Sequence, residues 1–280
     1  MNSAQRPERF DEKRYGRLLE TRSFGRHLVY VEEIDSTQRL AAELAARDAA
    51  EGVAVLSELQ TAGRGRMGRT WHSPPGKGLW CSIILRPSLP LSQAPLLTFL
   101  AAVAVCRSIR RSARVPAMIK WPNDILVDGK KVCGILLESH AEGEQIRHVV
   151  AGIGIGVNLE KSDYPADLAS IATSLRIEAG RPIDREALLA DLMKELENLY
   201  ELFLAEGFQP IRALWEALNC TVGKRIQVRD ASGFVEGKAE GMDPDGGLVV
   251  RLSDGGAVKL FSGEIQHAEP AEKPGSTDEK

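Results

Sequence analysis

The sequence predicts an α+β protein: a mixed β-sheet domain flanked by helices, followed by a small β-barrel. Three observations carry this. The order of strand-like and helical stretches sets helices against a mixed sheet. One helical stretch, residues 92–112, is apolar on most faces and therefore belongs at the centre of a core. From Thr221 the pattern changes to short strands and glycine-rich turns, which reads as a barrel of roughly 45 residues.

Residues 1–26 form a polar, basic extension with one short helix near 12–22. The β-branched run "HLVYVEEI" (27–34) is a strand. Asp35, Ser36 and Thr37 then offer N-caps to an alanine-rich helix ending near Asp48, with Leu40 and Leu44 on one face. "GVAVLSEL" is the next strand and leads into an arginine-rich loop, which continues through "TWHSPPGKG" to the strand "LWCSIIL" (79–85). After the long central helix come three short strands in "AMIKWP", "DILVDG" and "KVCGILLES", the last two joined by a turn at Asp128-Gly129. Residues 145–158 form a further strand whose glycines allow close approach to its backbone. Helices over 185–206 and 210–218 close a domain spanning 27–219. The barrel covers 220–268, and the polar tail 269–280 is expected to be disordered.

The chain of 280 residues is long enough to bury a good core, and its net charge is only -3. Cys81, Cys106, Cys133 and Cys220 form no CxxC pair, so buried reduced thiols are expected rather than a metal site or a disulfide framework. No signal peptide is visible in 1–26, and the apolar run 94–106 is shorter than the roughly 20 residues of a membrane helix. A cytoplasmic location away from membranes follows as the expectation.

Four stretches concentrate chemistry. "QTAGRGRMGR" (60–69) holds Arg64, Arg66 and Arg69 without a carboxylate. It suits a nucleic-acid arm, a solvated loop or a clamp for a small anion, and the near-neutral chain favours the small anion over a polyanion. Arginine forks bind phosphate or carboxylate bidentately, and the glycines free backbone N–H groups to converge on the same ligand. The spacing is not that of a P-loop. "KWPND" (120–124) sets Lys120 for a phosphate, Asn123 for a polar ligand edge and Asp124 for magnesium; its plainer alternative is a turn with an exposed lysine. Lys131 enters an apolar strand and is either solvated at an edge or aimed into a pocket, while Gly134 in the same strand marks close backbone approach. "AGIGIGVN" (151–158) lacks the spacing and following helix of a dinucleotide fingerprint, and reads instead as the floor of a pocket with Asn158 at its end.

In this order the motifs "DSTQ" (35–38), "QTAGRGRMGRTW" (60–71), "KWPNDILVDGKKVCGIL" (120–136), "GIGIGVN" (152–158) and "ATSL" (172–175) resemble those of the biotin protein ligases, as does the terminal β module. The resemblance spans about 28–267, nearly the whole chain. It implies a class II synthetase-like catalytic domain with an SH3-like terminal barrel. It also implies a two-step reaction, in which biotin and ATP with Mg2+ give biotinyl-5′-AMP and pyrophosphate, and the biotinyl group then passes to a lysine of a biotin carboxyl carrier protein. Ser36, Thr37, Gln38 and Gln60 match contacts to the biotin ring. Gly63, Arg64, Gly65 and Arg66 match a loop closing over biotin and its adenylate. Lys131 matches the lysine bridging carboxylate and α-phosphate, and with Arg66 and Lys120 makes the expected catalytic set. Gly134, Gly154 and Val157 match pocket walls. Arg69, Trp71, Lys120, Asn123, Asp124 and Asn158 match the nucleotide side, with Asp124 on magnesium. Gln38 departs from the family's usual asparagine.

With about 26 residues before the first strand, the winged-helix domain of many bacterial members is not expected, nor is DNA binding. An edge strand could pair two subunits as a homodimer. The alternatives are a lipoate or octanoate ligase of the same fold, disfavoured by the GRGRMGR and KWPND pair, and a nucleic-acid-binding module, disfavoured by the charge balance.

Overall fold

A computed structural model describes residues 9–230 and 233–268; the tail expected at 269–280 lies outside the described residues. The larger part of the chain opens with helix α1 (Glu12–Leu18), capped by the Asp11 carboxylate, which accepts from the Arg14 N–H. Strand β1 (Leu28–Ile34), helix α2 (Thr37–Ala46), β2 (Ala54–Gln60) and β3 (Gly78–Leu85) follow, then the long α3 (Leu96–Ala113). Next come β4 (Met118–Lys120), β5 (Asp124–Val127), β6 (Lys130–Glu142) and β7 (Gln145–Gly156). Helices α4 (Leu175–Ala179), α5 (Arg185–Glu206) and α6 (Gln209–Leu218) complete this part. The short α4 was not expected from the sequence; Ser174 caps it and Gly180, with φ +67°, ends it.

The seven strands form one sheet in the order β1-β2-β3-β7-β6-β5-β4. Only β1 and β2 run parallel, and every other pairing is antiparallel, so the sheet is mixed as expected. The terminal module, β8 (Arg225–Asp230), β9 (Gly233–Met242), β10 (Leu248–Arg251), β11 (Ala257–Leu260) and β12 (Glu264–Ala268), is an antiparallel sheet in the order β11-β10-β9-β8-β12.

The two faces of the large sheet differ, and that difference makes the site. One face carries Leu79, Cys81, Ile83, Val149, Ala151, Ile153 and Ile155 into the main core under α3 and α5. Between Leu96 and Ile109 every residue of α3 except Thr98 and Arg107 is buried. The stretch Leu91–Ala113 is in fact long and apolar enough to cross a membrane, but 72% of its apolar window is buried within the fold, as a core helix requires. The other face is covered by a helix only at one end, where Ala41 and Ala45 of α2 pack on Val55, Ile84 and Val150. Beyond α2 that face presents glycines.

The segment assigned from sequence to a polar extension contributes to the core through Phe10, Tyr15, Leu19 and Phe24. It is anchored by buried carboxylates. Glu58 accepts the Phe10 N–H at 2.7 Å and the Tyr30 hydroxyl at 2.9 Å, and Arg185 grips both its oxygens at 2.6 and 3.1 Å. Glu197 accepts the N–H groups of Arg22, Ser23 and Phe24. Burial alone would raise the Glu58 pKa, but the Arg185 pair and the donated hydrogen bonds outweigh it and hold the carboxyl below its ordinary value.

A folded-state value below the unfolded one means the pair stabilises fully above the unfolded carboxylate range and loses that contribution as pH falls through the folded value. Arg185→Met, which strands Glu58 as a buried unpaired charge, is expected to cost about 3–5 kcal/mol in urea denaturation at pH 7. That difference should shrink on acidification; a pH-independent difference would contradict the pairing.

Candidate active site

The uncovered sheet face, the arginine loop and the terminal module enclose a cavity of about 690 Å³. Its floor is made by missing side chains. Gly134 of β6 pairs directly with Gly154 of β7, and the Trp71 indole lies over the pair. A Cβ on Gly134 would stand 2.8 Å from Trp71 Cζ3, and one on Gly154 would stand 2.5 Å from Trp71 Nε1. A Cβ on Gly152 would stand 2.4 Å from Gln38 Oε1, and one on Gly156 would stand 3.0 Å from the Thr173 carbonyl. The G-x-G-x-G spacing is therefore strand periodicity, with three successive residues on one face each making way for a different neighbour.

One end of the cavity is neutral and hydrogen-bonding. Ser36 is the N-cap residue of α2, yet its hydroxyl makes no cap bond; it is buried with no hydrogen-bond partner among the described residues and lines the cavity. Thr37, Gln38, Gln60 and Ser82 line the same end. Ser82 was missed from sequence, although a lone serine inside the apolar run "LWCSIIL" was the available signal.

The other end is cationic. The arginine loop closes as a small hairpin, with Gly65 N–H donating to the Arg69 carbonyl at 2.7 Å and Trp71 N–H to the Gly63 carbonyl at 2.8 Å. Met67 at its tip has φ +57° and Gly68 +73°, which makes the turn tight. Carboxylates absent from the loop itself come from other elements. Arg64 lies 3.4 Å from Glu138, and Arg69 is bonded to Glu264 of the terminal module. Arg66 instead donates to the neutral Asn123 Oδ1 at 2.8 Å. Partial burial pulls its pKa down, against smaller raising influences from Asp124 and Glu264. An arginine so placed stays charged and under-compensated, and an anion relieves it.

Lys131 Nζ stands 2.7 Å from Asp124 Oδ1 and 5.2 Å over the Trp71 ring. The Asp124 contact is one of charge, since Oδ1 accepts no aligned hydrogen bond. The Lys131 backbone is held by segment 159–173, its N–H donating to the Ile171 carbonyl and its carbonyl accepting from Thr173 N–H. That segment, with Tyr164, Leu168 and Ile171, forms a cavity wall of which the sequence reading saw only the ATSL stretch. Asp163 ties it to the arginine side, accepting Lys77 Nζ on both oxygens at 2.6 Å, while its carbonyl contacts His72 Nε2 at 2.8 Å. Asp124, expected on magnesium, faces the Lys131 ammonium, where a dication would meet like charge. Among the described residues no group of three His, Cys, Asp or Glu side chains gathers, and magnesium beside a nucleotide needs only one or two carboxylates besides the phosphates.

Three expected contacts fall outside the cavity wall. Val157 is fully buried in the main core. Asn158 uses its amide on Ile183, donating to the carbonyl at 2.8 Å and accepting from the N–H at 2.9 Å, and so anchors the approach to α5. Gly63 faces Trp71, Ser73 and Gln60 beneath the loop, where a Cβ would stand 2.6 Å from the Trp71 carbonyl. Lys120, Asn123 and Arg69 do line the cavity but with polar groups engaged, Lys120 on the Ile265 carbonyl at 3.3 Å and Asn123 on the Ile135 carbonyl at 2.7 Å.

Residues 30–158 match the biotin/lipoate A/B protein ligase family, and residues 221–268 match the biotin protein ligase C-terminal domain. The bifunctional ligase/repressor BirA of Bacillus subtilis is 45% identical over 255 residues, covering 91% of this chain and 78% of that protein. The chain belongs to the biotin protein ligase family. The biotin--[acetyl-CoA-carboxylase] ligase of Paracoccus denitrificans is 36% identical over 202 residues, 70% of this chain and 83% of its own. The biotin protein ligase of Aquifex aeolicus, solved in complex with biotin and ATP, superposes with a TM-score of 0.74 at 28% identity, covering 87% of this chain and 98% of that one. The family is one of enzymes, and the mixed sheet with its C-terminal antiparallel module is the fold of this biotin ligase.

The glycine floor makes a specific demand. Gly154→Ala is expected to lift Trp71 off the sheet, shift tryptophan emission to the red and destabilise the fold by about 1–3 kcal/mol through overpacking. An unchanged spectrum and melting temperature would show that Trp71 does not rest there.

Proposed function

We propose that this enzyme activates biotin with ATP and transfers the biotinyl group to a lysine of a biotin carboxyl carrier protein, that of acetyl-CoA carboxylase. The names of the relatives support the reaction and the carrier. Within the chain, one observation carries the reading. The two cationic groups Arg66 and Lys131 line the same cavity, one bonded to a neutral amide and one stacked over an indole, while neutral hydrogen-bonding side chains line its far end. A ligand with a polar uncharged head and an anionic centre further along suits that distribution, and the cavity volume is in the range of small-molecule sites.

In the first step a biotin carboxylate oxygen attacks the α-phosphorus of ATP, and the bond to the β-phosphate bridging oxygen breaks, releasing pyrophosphate. Negative charge moves across the phosphoryl oxygens. Arg66 and Lys131 stabilise it because they are already in place and partly desolvated. In the second step a neutral lysine amine of the carrier attacks the acyl carbon of the mixed anhydride, the C–O bond to phosphorus breaks, AMP leaves and the amine loses a proton to solvent. Arg69 is the bridge between the loop and the terminal module through Glu264, so the module closes the nucleotide side. Asp124 is the carboxylate that would hold a magnesium ion brought with the nucleotide, and such an ion would supply further positive charge to the phosphates.

Incubation with biotin, ATP, magnesium and a carrier domain, followed by streptavidin blotting, tests the reading. Biotinylated carrier is expected, and lipoate in place of biotin should give none. Lys131→Ala should lower biotin-dependent pyrophosphate exchange by about 10²–10³-fold while biotin affinity stays within about threefold. Equal losses in both would assign Lys131 to binding alone. Arg66→Ala should release biotinyl-5′-AMP into solution, and retention equal to the parent would remove its role in holding the intermediate.

A further inference from the structure

A continuous line of hydrogen bonds runs under the neutral end of the cavity, and backbone groups at both ends fix its direction. Gln38 lies 3.1 Å from the Val150 carbonyl, which can only accept, so its Nε2 is turned there and its Oε1 faces Ser82 Oγ at 3.2 Å. Gln60 lies 2.9 Å from the Thr37 N–H, which can only donate, so its Oε1 is turned there and its Nε2 reaches Ser73 Oγ at 3.0 Å. Between the two amides stand the Thr37 and Ser82 hydroxyls, 2.9 Å apart, each with one proton.

The possibilities can be enumerated. Gln38 is buried, and its Oε1 has Ser82 as its donor, so the Ser82 proton goes to Gln38. The short contact to Thr37 is then a hydrogen bond only if Thr37 donates it. If instead Ser82 donated to Thr37, the Thr37 proton would go to Gln60 Oε1 at 3.1 Å, and the buried Gln38 oxygen would be left unpaired. In both arrangements the Thr37 proton is engaged within the protein. Turning it toward a ligand either leaves the Thr37 and Ser82 oxygens in contact without a proton between them or orphans Gln38 Oε1, and each costs free energy in a buried site.

We infer that Ser82 and Gln38 are positioning residues that make the Thr37 hydroxyl an acceptor only, so that the ligand ring lodged there must present an N–H. A ring bearing N–H groups, as a cyclic urea does, satisfies this; a ring offering only oxygen or sulfur acceptors does not. The inference rests on the assignment of this end of the cavity to the biotin ring. It also gives Gln38, which departs from the family's usual asparagine, a role through Ser82 rather than through the ligand.

The test is equilibrium binding, by calorimetry, of biotin and of a cyclic carbonate analogue in which oxygen replaces both ring N–H groups. The parent protein is expected to prefer biotin by about a hundredfold or more, since a site built around a hydrogen bond rejects the ligand that lacks it. Ser82→Ala and Gln38→Met each remove the need for a Thr37 proton on Ser82, and because Gln60 Oε1 keeps the Thr37 N–H as its donor, the hydroxyl can turn to the carbonate. Each variant should narrow the preference about tenfold, mainly by strengthening the analogue. Biotin affinity is expected to fall as well, since both side chains line this end of the cavity, so the deciding readout is the gain in affinity for the carbonate. Generalised damage would weaken both ligands alike, and an unchanged ratio in both variants would overturn the inference. Failure of the parent protein to bind biotin would instead overturn the assignment of the cavity on which it rests.

Discussion

The site depends on one steric constraint, the absence of side chains at Gly134, Gly152, Gly154 and Gly156 on a single face of the sheet. Any Cβ at these positions would stand within about 3 Å of Trp71, Gln38 or the Thr173 carbonyl. Because β6 and β7 pair Gly134 with Gly154, the bare patch is continuous across two strands, and the indole of Trp71 can lie on it. Trp71 in turn sits beneath Lys131 and ends the hairpin that holds Arg66. The other face of the same strands is apolar and sealed by α3, so the sheet is rigid where the cavity needs it to be.

Charge is distributed to match. Three arginines rise from a loop without carboxylates, yet two are met by carboxylates from elsewhere, Arg64 by Glu138 and Arg69 by Glu264. Arg66 is the one bonded to a neutral amide, and it is half-buried where the other two are exposed. The loop therefore anchors through its outer arginines and presents the middle one. Glu264 belongs to β12, so the terminal module takes part in setting the loop's position.

Much of this was legible in the sequence. The mixed sheet, the buried central helix and the glycine floor follow from local pattern and composition, whereas the pairing of Arg66 with Lys131 comes only from the resemblance to a family. What escaped was non-local. Asn158 looks like a ligand contact at the end of a glycine strand, but nothing in its neighbours reveals that Ile183 lies across from it. Val157 was legible but misread: the alternation that puts residues 152, 154 and 156 on the cavity face puts 157 with Ile153 and Ile155 in the main core. Ser82 carried a weak signal, a hydroxyl within an apolar run. The polar look of residues 9–26 hid four core side chains spaced too irregularly to show helical periodicity. Asp124 suited magnesium by composition, and only the fold shows Lys131 beside it.

The most direct test is a crystal structure with a non-hydrolysable biotinyl-adenylate analogue. The expected result places the ring at Ser36 and Thr37 and the phosphate between Arg66 and Lys131, within about 3 Å of each cation as charge-assisted hydrogen bonds require. A phosphate out of reach of both cations, or a ring bound away from the Ser36 end, would contradict the assignment of the cavity.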